Sequence, residues 1–380
     1  MISAYTIEQI SALRHQLKAR KWLKAGLVNQ DKHDLIVEAY PSNLYRVKLA
    51  MAALLFLGGT VVVIGLQLTI AMSFLNELED LLGFPTLIMG LLVLVFAEWL
   101  LIREQCHHRT GMLQAVYLHG LQLLIASSAY FFDDNEIIVV LTAFILSLLA
   151  SLRYMDRFAL ASALVCFGVF VFQLFDSFDG MMVYFVPIFL AICYGAAAFW
   201  LDRLSKSGEH WMYGDLINAG KLFSLILMYI SVNVLVVSSG GNLLMNLDGQ
   251  LPFAWLFIAL TILLPLTMFY FGWKNRDRIL LNIGGIGAVL SVPSIKLYFE
   301  MPTNEFVIAF VGVLLIVTAI LLIRYFSAAR NGISSAKEQG QSSSILKILE
   351  AAQEFQQGEK PTTDTFGGGE FGGGGAEGKF

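Results

Sequence analysis

The chain has 380 residues, of which 57% are hydrophobic and only 14% charged, with a mean hydropathy of +0.69 and a formal net charge of −4. A soluble globular domain carries about a quarter charged residues, so this composition excludes an ordinary water-soluble fold. With no basic face and no recognised binding motif, no nucleic-acid partner is expected.

Residues 6–40 have the pattern of a small helical hairpin. Thr6 and Gln9 stand at capping-box spacing, and Ile7, Ile10, Leu13 and Leu17 recur at helical intervals with Arg14, Lys18, Arg20 and Lys21 between them. Gly26 suits a helix C-terminal cap, and Asn29 or Asp31 can start a second helix that ends before Pro41. Such a hairpin buries little on its own. It is expected to rest on a partner, on the membrane surface or on neighbouring loops. No charged start leads into a short apolar stretch, so no cleaved signal peptide is expected.

Ten apolar segments follow, each near the length needed to cross the hydrocarbon. They run about Lys48–Met72, Leu82–Ile102, Met112–Phe131, Ile137–Leu152, Phe158–Phe175, Met181–Leu201, Ile217–Val237, Pro252–Trp273, Ile279–Phe299 and Phe306–Tyr325. Charge placement supports the count independently. Alternate loops carry Arg103 and Arg109, then Arg153 and Arg157, then Arg203, Lys206 and Lys221, then Lys274, Arg276 and Arg278. The intervening loops are acidic, from Glu77, Glu79 and Asp80 through Asp133, Asp134, Glu136, Asp176, Asp179 and Asp248 to Glu300 and Glu305. Lys296 alone among the Lys and Arg residues falls toward the acidic side. Short-loop Lys and Arg bias sets orientation, so the basic side, with both termini, is expected in the cytoplasm.

The fold class expected is therefore all-α. A cytoplasmic hairpin (1–47) precedes a ten-helix transmembrane domain (48–325), then a cytoplasmic linker (326–365) and a tail (366–380). The linker has an amphipathic stretch through Ile345, Ile348, Leu349, Ala352 and Phe355, and the tail is glycine-rich and expected to be disordered. A repeated Phe-Gly-Gly-Gly element in the tail offers a weak contact for a protein partner, as the hairpin does.

Ionisable groups within the bilayer are costly and are functional candidates by default. Glu98 and His119 lie at similar depth on connected helices and are expected to meet across the turn. Ala115, His119, Gln122, Ala126 and Tyr130 share one helix face. A carboxylate–imidazole pair there can relay protons or bind a cation. It serves equally as a buried contact that fixes helix packing. Lys296 is the third group, with Glu300 at ion-pairing spacing; a cationic contact for an anionic substrate near Asn233 is the alternative.

Cys106-His107-His108 carries metal-ligating residue types without a matching cluster elsewhere, and neither metal nor other cofactor is expected. Cys106, Cys166 and Cys193 follow no disulfide spacing. No H-E-x-x-H or G-x-S-x-G motif is present, and residues 214–221 fail the phosphate-loop pattern at Leu222. Small-residue surfaces occur at Ala191 and Gly195 and at residues 282–288. Pro187, Pro265 and Pro293 are expected to kink their helices.

The stretch Trp22-Leu-Lys-Ala-Gly26-Leu27-Val28, before a polar helix and the first membrane segment, resembles the N-terminal W-x-x-x-G-L-[IV] hairpin of bacterial multi-pass membrane proteins classed as a domain of unknown function. The tail is similar to glycine-rich, aromatic-ended tails of bacterial envelope proteins, some with a TPM domain. The resemblance implies a bacterial inner-membrane location and no particular reaction. Two functions remain: a non-enzymatic envelope scaffold or sensor engaging partners through its cytoplasmic ends, and a transporter or proton-coupled permease using Glu98 and His119.

Overall fold

The computed structural model describes residues 3–24, 26–74, 83–132, 135–176, 184–245, 251, 253–300, and 312, 313, 317, 320 and 324. The chain divides into two units, Met1–Met301 and Pro302–Phe380, and every element below belongs to the first. The segment expected at 306–325, the amphipathic stretch, the glycine-rich tail and most of the acidic loops lie outside the described residues.

The described elements are helical. A hairpin of α1 (Ile7–Lys24) and α2 (Gln30–Ala39) leads into α3 (Leu49–Phe74) and α4 (Gly83–Phe96), which runs on as a π-helical segment over Ala97–Glu104. Then come α5 (Met112–Phe131), α6 (Glu136–Tyr154), α7 (Arg157–Asp176), α8 (Val186–Ser207), α9 (Gly214–Val232), α10 (Val234–Met245), α11 (Ala254–Lys274) and α12 (Arg278–Tyr298). Helix starts follow local chemistry. Thr6 and Gln9 form the reciprocal capping box at 3.2 and 3.0 Å, Asn29 caps α2, Asn135 caps α6, and Asp277 caps α12.

Eight helices among the described residues are long and apolar enough to cross a membrane. Their apolar side chains point outward as well as inward: Val61, Phe199 and Trp255 are each about 70% exposed. A helix apolar on every side is stable only where its outer face meets hydrocarbon, so this is a multi-pass membrane protein. Helix α5 is as long as its neighbours but more polar. It packs against α3, α4 and α6, and Ser127 and Ser128 donate their hydroxyls to its own carbonyls.

Consecutive helices pair as α4–α5, α6–α7, α8–α9 and α11–α12. Small residues set the closest crossings. A Cβ on Gly284 would lie 2.4 Å from the Phe269 backbone nitrogen, and one on Gly90 would lie 3.1 Å from the Gly120 carbonyl. Without a hydrophobic drive between helices in lipid, this backbone approach supplies the packing attraction. Pro187 departs from expectation. It occupies the first turn of α8, where its missing N–H has no helical acceptor, so it starts a helix rather than kinking one.

The hairpin rests on loops of the same chain. Tyr5 is 2% exposed and donates its hydroxyl to the His107 carbonyl at 2.9 Å, while the Ala4 N–H donates to the Arg153 carbonyl. Tyr45 exchanges backbone hydrogen bonds with Cys106 and His108, and Arg14 stacks over the Trp211 ring. The N-terminal segment thereby ties together the α4–α5, α6–α7 and α8–α9 turns.

Candidate functional site

The expected Glu98–His119 contact does not form. Glu98, in the π-helical segment, is held by Arg153 at the end of α6 through two parallel bonds, Nε to Oε1 at 2.8 Å and Nη2 to Oε2 at 2.9 Å. Both carboxylate oxygens are used, and the pair is neutral, which lowers the cost of a charge at this depth. It lines a groove of about 660 Å³ walled by leucines of α4, α5 and α6.

His119 is half-buried and bonds Gln122 through Nδ1 at 3.2 Å, whereas Gln122 and Tyr130 are exposed. Lys296 and Glu300 make no ion pair with each other or with any other described residue. The five candidates do not converge on one site.

Two other polar centres emerge. The first interrupts the predicted segment 217–237. Asn233 leaves the helix at φ −66°, ψ 122°, ending α9, and its Oδ1 accepts the Leu235 and Val236 N–H groups at the start of α10. Its Nδ2 donates to the Tyr229 hydroxyl and to Ser294 Oγ, each at 3.0 Å. The Val234 N–H donates to Thr261 Oγ1 of α11 at 2.9 Å.

Pro265, one turn farther along α11, has no N–H for the Thr261 carbonyl, and Ser291 of α12 donates to that carbonyl at 2.6 Å. Gly287 makes room, since a Cβ there would lie 2.9 Å from the Pro265 ring. Asn233, Thr261, Ser291 and Ser294 are all buried. The α9–α10 break and the hydrogen bond that Pro265 leaves unmade within the continuous α11 are thus joined by one hydrogen-bonded network, as hydrocarbon demands of freed backbone groups. Helix rise puts this node about 18 Å from Lys221 and about 10 Å from the Ala254 end of α11.

In the first half of α9, Lys221 is buried and paired with Asp202 at 2.6 Å and with Asp277. It is a helix residue holding α8, α9 and α12 together, not the loop charge its sequence position suggests.

The second centre lies beneath the hairpin. Asp215 accepts from Arg157 at 2.9 Å and from Arg109 at 3.2 Å through one oxygen, Oδ2. Arg109 also donates to the Met155 carbonyl at 2.9 Å. Asp156 caps α7 through Oδ1 and accepts the Gln114 amide at 2.5 Å through Oδ2. These groups and Arg46 line a cleft of about 830 Å³. Sequence reading put Arg109 and Arg157 among the orienting charges and passed over Arg46. A run of isolated arginines carries no signal of convergence, because residues 46, 109, 157 and 215 meet only when four turns come together.

Comparison with protein-family models, curated proteins and solved structures finds no match.

His108, beside this cleft, is 3% exposed and meets the Tyr5 ring edge-on at 4.7 Å. Burial, followed by the Arg109 and Arg46 charges, pushes its pKa down to about 3 from 6.5. The folded ring is therefore neutral while the unfolded ring takes up a proton below pH 6.5. Stability present above that pH should fall as acid is added, by about 1.4 kcal/mol per pH unit. Thermal unfolding in detergent between about pH 7.5 and about pH 5 checks this. His108→Phe should flatten the acid slope, and an unchanged slope would sink the assignment.

Proposed function

We propose that this protein is a transporter of the bacterial inner membrane, with its hairpin and basic loops in the cytoplasm. The observation that carries the reading is the helix break at Asn233, packed against the backbone carbonyl that Pro265 frees within α11. Helices broken at membrane depth are costly, and their freed backbone groups and short half-helices are what substrate sites and hinges are built from. Glu98 is committed to Arg153, so a proton relay through Glu98 and His119 loses its carboxylate. The node on α9–α12 takes that place as the moving element. The bacterial location rests on the resemblance of the Trp22–Val28 hairpin, and the orientation on the alternation of basic and acidic loops.

A second reading, a scaffold or sensor, draws support from the hairpin. Helix α2 buries no side chain, and Leu35 is 63% exposed, which leaves a free face for a protein partner.

One experiment separates the two. In a chain carrying Cys106→Ala, Cys166→Ala and Cys193→Ala, the single change Ser294→Cys is tested with a small impermeant thiol reagent. Right-side-out and inside-out vesicles are compared. A transporter that alternates access should label from both faces. Protection from either face would overturn the transport reading, and protection from both would leave a sealed bundle suited to a scaffold.

A further inference from the structure

Charge in the cleft beneath the hairpin does not balance. Three guanidinium groups, Arg46, Arg109 and Arg157, line it. Of the two carboxylates there, Asp156 is fully used by the α7 cap and Gln114, and Asp215 serves two arginines through a single oxygen. Arg46 has no hydrogen-bond or ion-pair partner among the described residues. Arg109 spends its Nη atoms on Asp215 and Met155 and keeps Nε buried without a partner. A second cavity of about 220 Å³ adjoins the first, sharing Arg46, Arg109, Asp215 and Asn218, and reaches His108, whose Nδ1 is also buried and unpartnered.

Three guanidinium charges face two carboxylate charges, so one positive charge is left over, and like charges crowded together repel one another. Burial, then the Arg109 charge, pulls the Arg46 pKa below the usual guanidinium range. The neutral His108 adds nothing to offset this. A group with more than one anionic oxygen suits the arrangement, because it can accept from several planar guanidinium forks at once. The cleft also has an apolar wall, formed by Phe158, Leu222, Phe223 and Ile279.

We propose that this cleft binds an anionic phosphate group, held between Arg46, Arg109 and Arg157, with Asp215 as the internal anion it displaces. Any apolar substituent on the phosphate lies against Phe158 and Phe223. Only its meaning as a substrate site rests on the transporter reading. Binding stands or falls on its own measurement, whereas transport stands or falls on access to Ser294.

The test uses the full chain purified in an uncharged detergent. Inorganic phosphate and glycerol phosphate are titrated against chloride at equal ionic strength, with thermal midpoint and calorimetric heat as readouts. In a second arm the protein sits in phosphatidylcholine nanodiscs with or without phosphatidylglycerol. Arg46→Gln removes a cation that makes no hydrogen bond or ion pair among the described residues, so the fold should survive, and binding should weaken about tenfold or more. Asp215→Asn should tighten binding by removing the competitor. Saturable binding of the soluble phosphates supports a free organophosphate. Stabilisation by phosphatidylglycerol alone, lost in Arg46→Gln, supports a lipid headgroup. Absence of both effects, or effects unchanged in Arg46→Gln, overturns the proposal.

Discussion

Asn233→Leu should lower stability by about 3 kcal/mol, shared about equally between the α9–α10 junction and the bonds that the amide donates. The substitution removes the cap of α10, worth about 1 kcal/mol, an interhelical bond to Ser294 worth about 0.6–1.7 kcal/mol within a membrane, and the bond to Tyr229 one turn back on α9. It also leaves the Leu235 N–H, now bonded to Oδ1 at 3.1 Å, without an acceptor in a buried setting. Asn233→Ser is the informative control. Its hydroxyl keeps a cap acceptor but cannot reach Tyr229 and Ser294 together, so about half the loss should remain. Thermal unfolding of the two variants in the same detergent checks both figures. Equal losses would mean that the cap contributes little and the bonds donated by the amide dominate. No loss in Asn233→Leu would mean that the helix break is not held by this side chain.

Gly111→Ala should be at least as damaging, at about 3 kcal/mol or more, although it adds a single methyl. Gly111 precedes α5 at φ 83°, a conformation that opposes any side chain, and an ideal Cβ there would fall 1.9 Å from the Ala52 carbonyl oxygen of α3. Neither side can yield cheaply. The obstacle is helix backbone, and the loop before Gly111 is pinned through His107, His108 and Arg109. Gly26→Ala isolates the conformational part. Gly26 has a similar φ of 72° with nothing within 4 Å of its Cβ position, so its loss should be about 1 kcal/mol. Similar losses in the two variants would show that backbone strain, rather than the approach of α3, sets the requirement at Gly111. A large excess at Gly111 should also loosen the arginine cleft, since Arg109 lies two residues away.

What the sequence determined by itself is the class of the protein and the placement of most helices. Mean hydropathy and apolar runs near twenty residues depend only on local composition, because hydrocarbon rewards an apolar segment whatever its neighbours are. Thr6, Asn29, Asn135 and Asp277 cap their helices through contacts within three residues, which is why such starts are legible without a fold. Pairing is a different matter. In lipid a leucine gains little by facing a helix rather than an acyl chain, so hydropathy carries little information about which faces meet. The sequence therefore pairs Glu98 with His119 on the next helix, whereas the fold brings it Arg153 of α6, 55 residues away in the chain. The break at Asn233 was hidden for a related reason. Apolar residues continue on both sides of it, and its stability comes from Thr261, Ser291 and Ser294 on two later helices. Only the tertiary structure brings those hydroxyls to the freed backbone, and only it gathers Arg46, Arg109, Arg157 and Asp215 around one cleft. Spanning a membrane is a property of each segment, whereas a polar site within it is a property of the contacts between segments.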